Sequence, residues 1–197
     1  MSQSKRLLFA TAALAMMIAA PAHATTLVRQ GLEDLVATNG VVVLGEVRGV
    51  HSYWNAEGSF ILTDVHFRVQ EVLKGNPKER DLTFTIPGGT VGDLTTLIVG
   101  GAELIPGNSY VLFLDEVNLP GARNVRSVRE HAQGVFEVRM AVDGSRAVSQ
   151  ATRLPLLPDA GGRVEPPGGE DGMPLASMLQ SIRELAGRRA TPGGEVK

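Results

Sequence analysis

Phe60-Ile61-Leu62-Thr63-Asp64-Val65-His66-Phe67-Arg68-Val69-Gln70-Glu71-Val72-Leu73 alternates with a period of two, the repeat of a β-strand. Ile61, Thr63, Val65, Phe67 and Val69 face one way, and Leu62, Asp64, His66, Arg68 and Gln70 face the other. The phase slips near the end, where Val72 rather than Glu71 is apolar, which predicts a bulge near Gln70 and Glu71. Lys74-Gly75-Asn76-Pro77 then supplies a turn. Upstream, Val41-Val42-Val43-Leu44 is apolar and rich in β-branched residues, and the strand runs on through Gly45 to Val47. A glycine inside a strand marks a bulge or a tight bend.

Working outward, further strands are predicted over 82–86 and 110–114, with 123–128 and 135–140 as a closing hairpin pair. Residues 97–99 read as a short strand or a packed loop segment. Pro87-Gly88-Gly89, Pro106-Gly107-Asn108 and Asp143-Gly144 mark turns. Short strands at this spacing, with no helices between them, predict a mainly β domain closed as a barrel or stacked as a sandwich.

Helical spacing occurs twice. Val28, Leu32, Leu35 and Val36 predict a short helix over 26–38, with Thr26 as its cap and Asn39-Gly40 as its stop. Leu175, Met178, Leu179, Ile182 and Leu185 form one apolar stripe, predicting an amphipathic helix over about 174–186. Pro174 suits its first turn and Gly187 is expected to end it. Between strands and helix, residues 154–172 hold Pro155, Pro158, Pro166, Pro167 and five glycines, the composition of a linker. The expected division is a signal peptide over 1–24, a β domain with its leading helix over 25–153 and a linker over 154–172. A C-terminal helix over 173–189 and a disordered tail over 190–197 complete it.

The signal peptide rests on three features. Lys5 and Arg6 make a positive start, residues 7–20 form an apolar run broken by Pro21, and Ala22-His23-Ala24 is a small-x-small cleavage site. The run is shorter than the roughly 20 residues of a spanning helix, so cleavage after Ala24 and release into the periplasm or medium are expected. No later segment is long and apolar enough to span a bilayer. Cysteine is absent, which excludes a lipid anchor, disulfides and cysteine zinc sites. Loss of Lys5 and Arg6 would move the formal charge from −2 to −4, against nucleic acid or an anionic membrane as the main partner.

The order from Val41-Val42-Val43-Leu44-Gly45-Glu46-Val47 through Thr63-Asp64-Val65, Phe67-Arg68-Val69 and Glu71-Val72-Leu73-Lys74-Gly75 carries a resemblance, completed by Pro87-Gly88-Gly89 and Tyr110-Val111-Leu112-Phe113-Leu114. It resembles a group of uncharacterised bacterial secreted proteins and is distantly similar to netrin/TIMP-like OB-barrel domains. The resemblance covers about half of the chain after the signal, through strand and turn motifs. It implies an OB-like barrel of five to six strands and a bias toward binding another protein, a secreted or periplasmic protease among the possible partners. TIMP-type inhibition uses a disulfide-bonded cysteine at the mature terminus. Here that terminus would read Thr25-Thr26, so no family site residue carries over.

Two groups stand out as candidate sites. His51, Tyr53, Trp54 and Asn55 lie in the loop after the first strand, where an aromatic pair offers large contact area at low entropic cost. They are the candidate binding residues, for a protein or for a carbohydrate or cell surface. The competing reading makes Trp54 a plug for the barrel end. Asp64, His66 and Arg68 share one strand face and suggest a hydrolase or metal-dependent site, although a solvated sheet face explains them more simply. Ser59, Ser109 and Ser145 have no evident base, and no Gly-x-Ser-x-Gly elbow exists. Only three histidines follow Ala24, so no cofactor or transition metal is called for.

Overall fold

A computed structural model describes residues 27–77, 80–128, 131–154, 156–159, 161–163 and 165–190. The expected signal peptide, the Thr26 cap and almost all of the expected tail lie outside them. The described chain is mainly β. Its strands are β1 (Val41–Trp54), β2 (Ile61–Lys74), β3 (Asp81–Pro87), β4 (Gly89–Val91), β5 (Leu94–Thr96), β6 (Ser109–Glu116), β7 (Arg126–Val128), β8 (Val135–Ala141), β9 (Gly144–Ser149) and β10 (Met173–Pro174). Two helices flank them, α1 (Leu32–Thr38) and α2 (Leu175–Ala190).

Eight strands form one antiparallel sheet in the order β10-β9-β8-β6-β1-β2-β3, with β7 also on β6, while β4 and β5 make a separate hairpin. The strands thus exceed the expected five or six, and the sheet is open: among the described residues no ladder joins β3 to any strand but β2.

The long β1–β2 hairpin behaves as the alternation requires. Ile61, Val65, Phe67 and Val69 are buried, and β1 pairs along β2 from Val42 opposite Lys74 to Trp54 opposite Ile61. Leu44 faces Glu71 but Gly45 faces Val69, which leaves Gln70 as the extra residue of a bulge. A β-carbon on Gly45 would lie 2.2 Å from the Arg68 carbonyl oxygen, so only glycine lets the strands approach there. Beyond the bulge the strand turns over. Val69 belongs to the core on one sheet face, with Val65, Phe84 and Leu112, and Leu73 to the core on the other, with Phe113, Phe136 and Ile182. Val72, the residue that signalled the slip, ends up exposed.

Four expectations are corrected. The first helix begins at Leu32, not near Thr26, because Val28 is extended in a parallel bridge with Leu157 and Gly31 takes the N-cap. The Asp34 carboxylate accepts the Gly31 N–H at 3.3 Å. At the other end Lys74 Nζ donates to the Val36 and Asn39 carbonyls, satisfying free acceptors where a cation is favoured. Next, 123–128 and 135–140 do not pair with each other. β7 and β8 lie end to end along one edge of β6, interrupted opposite Phe113, and the hairpin partner of β8 is β9. Residues 97–99 form no strand, and Leu97 and Val99 are exposed. Finally, Gly187 lies inside α2, which continues to Ala190.

Met178, Leu179 and Ile182 of α2 are buried on the sheet with Leu35 and Val36 of α1. Arg183 pairs with Glu71 beside the β2 bulge. Residues 154–172 are tied back at several points: Arg29 N–H donates to the Leu157 carbonyl at 2.8 Å, and Leu157 N–H to that of Leu27 at 2.9 Å. No helix among the described residues is long and apolar enough to cross a membrane.

Candidate functional site

The tip of the β1–β2 hairpin is organised by Asn55. Its Oδ1 accepts the backbone N–H groups of Ser59 and Phe60 at 2.9 and 3.1 Å, and its own N–H donates to the Phe60 carbonyl at 2.8 Å. This is the local bonding that makes asparagine a turn residue. Asn55 is buried, so its role is to hold the loop.

His51, Tyr53 and Trp54 are not in a loop as expected, because β1 stays paired with β2 as far as Trp54, and the neighbouring pair Tyr53 and Trp54 divides by strand parity. Tyr53, opposite Leu62, is buried, whereas Trp54, opposite Ile61, keeps 38% of its surface exposed. Tyr53 Oη donates to Asp64 Oδ1 at 3.2 Å and accepts the Arg123 N–H at 3.2 Å, with the Arg123 guanidinium 4.2 Å from the centre of its ring. His51 lies exposed beside Tyr53, its ring roughly parallel at 6.3 Å. Of the four candidate binding residues, Tyr53 and Asn55 therefore build the hairpin, and Trp54 and His51 remain available at its surface.

Asp64, His66 and Arg68 separate in the same way. Asp64 is only 7% exposed, not solvated, and its Oδ1 accepts from Thr85 Oγ1 at 2.6 Å, Asn124 Nδ2 at 3.1 Å and Tyr53 Oη. The cover is the loop over 117–125, where Gly121, at φ +77, passes so close that a β-carbon would lie 2.8 Å from Asn55 Cβ. His66 is exposed with Nδ1 3.2 Å from Thr83 Oγ1, and Arg68 pairs with Asp81 at the surface. A carboxylate held by three neutral donors serves as a structural acceptor; His51 lies opposite it across the β1–β2 ladder, but among the described residues no hydrogen bond links Asp64 to a histidine or a cation. Among the described residues no group of three or more His, Cys, Asp or Glu side chains is placed to hold a metal ion.

Arg123, Asn124 and Thr85, which complete this cluster, were not singled out by the sequence. The available signal was the glycine-led run Gly121-Ala122-Arg123-Asn124, whose last two residues were read as the start of the strand over 123–128. Elsewhere, Tyr110 borders a polar cavity of about 580 Å³ with Glu103, Glu137 and Asp171. Burial pushes its phenol above the ordinary range, and its oxygen accepts the Ile105 N–H at 3.1 Å, as a core tyrosine's does. Compared with protein-family models, curated proteins and solved structures, the chain finds no match.

Proposed function

We propose that this chain is an exported protein-binding module that presents the tip of its β1–β2 hairpin to another protein. The observation that carries the reading is Trp54: a large aromatic left more than a third exposed at the end of β1, beside a buried tyrosine and next to the turn stapled by Asn55. A rigid aromatic at the end of a paired strand loses little freedom on binding and suits an interface anchor. The buried role of Asp64 speaks against the hydrolase alternative.

The OB-like reading, and with it the kinship to netrin/TIMP-like domains, draws support from topology. Four successive antiparallel steps link β3, β2, β1, β6 and β7, so β7 runs parallel to β3. Asn124, just before β7, donates to Thr85 Oγ1 on β3 at 3.2 Å, bringing the two edges together without a ladder. A five-stranded, partly open barrel has this form. With it comes the partner class, a periplasmic or secreted protein such as a protease.

Export predicts a specific product. Intact mass of the protein recovered from the periplasm or medium is expected to correspond to a chain beginning at Thr25. An exported form retaining residues 1–24 would refute the cleavage. For the binding tip, a photo-crosslinking residue in place of the exposed Glu57, with Trp54 kept, should join the protein to one discrete partner in the intact envelope. Unlabelled protein should compete the adduct away and Trp54→Ala should not. Crosslinking equally strong from an exposed position remote from the tip, such as Met140, would count against the site.

A further inference from the structure

Between β3 and β7, where the sheet stays open, lies a cavity of about 230 Å³. Ile86, Ile98, Val117, Leu119 and Val128 line it, with His131 contributing a polar ring. Its apolar lining sets it apart from the larger polar cavity beside Tyr110. Ile98 belongs to a flap made of the β4–β5 hairpin and the loop after it. Gly88 and Gly89 (φ +92 and +131) precede this flap and Gly100 (φ +74) ends it. A β-carbon on Gly88 would lie 2.9 Å from the Thr96 carbonyl oxygen and 3.1 Å from Ile98 Cγ1, so the flap is folded tightly back at its first end. Leu97 and Val99, 83% and 84% exposed, flank Ile98 in the flap. Both ends are pinned, Thr63 Oγ1 donating to the Gly88 carbonyl at 2.7 Å and the Ala132 N–H to that of Gly100 at 2.9 Å, so the flap is a fixed wall and the cavity stands partly open to solvent.

We infer that this cavity is a binding site for a small apolar molecule, a single-ring aromatic or a short aliphatic chain, reached through its solvent-facing mouth. An apolar cavity of about 150 Å³ is large enough for benzene, so the volume here suits a substituted ring. Among the described residues only Ser127 and His131 bring polar side chains to it, which disfavours sugars, nucleotides and ions.

Titration of methyl-labelled protein with toluene, followed by NMR, tests the site. Saturable shifts are expected at the methyl groups of Ile86, Ile98, Val117 and Val128, with Kd below about 1 mM, the range of weak small-ligand binding. Ala102→Phe, which places a ring in the same cavity, should weaken binding at least about tenfold while the protein remains folded. Leu119→Phe makes the same test from another wall residue should Ala102→Phe fail to fold. The inference is overturned by the absence of saturable shifts up to the solubility of toluene. Shifts confined to Leu94, Leu97 and Val99, or equally large in the filled variant, also overturn it.

Discussion

Ile182→Ala is expected to cost about 3 kcal/mol of stability, the middle of the range for truncating a buried aliphatic side chain. Ile182 is fully buried in the core formed with Phe113, Phe136 and Leu73 on one sheet face, and α2 covers that face. At this chain length a loss of that size lowers the melting temperature by roughly 6–12 °C. The exposed Glu184→Ala, two residues on, should stay within about 0.5 kcal/mol. Equal melting of both variants would mean that α2 sits apart from the sheet, as a helix on a free linker would.

Asp64→Ala has a comparable expected cost, about 3–5 kcal/mol, for a different reason. Removing the carboxylate leaves the Tyr53 and Thr85 hydroxyls and the Asn124 amide without their shared acceptor beneath the 117–125 loop. Each buried polar group so orphaned costs about 1–3 kcal/mol, although the hydroxyls can turn toward new partners and recover part of this. Asp64→Asn keeps an acceptor in place and should lose about 1 kcal/mol. Arg123 is already exposed, but a loosened loop should fit a protease cleft more readily, so trypsin should cut there faster in Asp64→Ala than in the parent. A stable Asp64→Ala variant with unchanged digestion would show that the cluster contributes little to holding the loop.

These two cases also show where a single sequence is readable. The inward face of β2 was legible because every second residue from Ile61 to Val69 is buried, and the bulge at Gln70 announced itself by a break in that alternation. The buried state of Asp64 was not legible. Alternation places it on the polar face, and the group that covers it, Asn124, comes from 60 residues further along the chain. Pairing failed at β7 and β8 for a related reason. Two short strands in succession suggest a hairpin, but both were drawn to the one open edge of β6, where its buried run from Tyr110 to Leu114 demands a neighbour. At the hairpin tip the sequence singled out residues 51–55 without dividing their roles. Tyr53 and Trp54 differ by one residue, and in a strand one residue decides which side faces the core.

That division is the claim on which the functional reading depends, and paired truncation measures it. Tyr53→Ala and Trp54→Ala should be compared for thermal melting and for affinity toward the partner crosslinked at the hairpin tip. Tyr53→Ala is expected to lose about 3–5 kcal/mol of stability, as a buried aromatic does. Trp54→Ala should melt close to the parent while binding weakens about thirtyfold, the equivalent of ~2 kcal/mol at an interface anchor. A fall of the melting temperature in Trp54→Ala as large as that in Tyr53→Ala, with affinity unchanged once the protein is folded, would place Trp54 in the core and contradict the account.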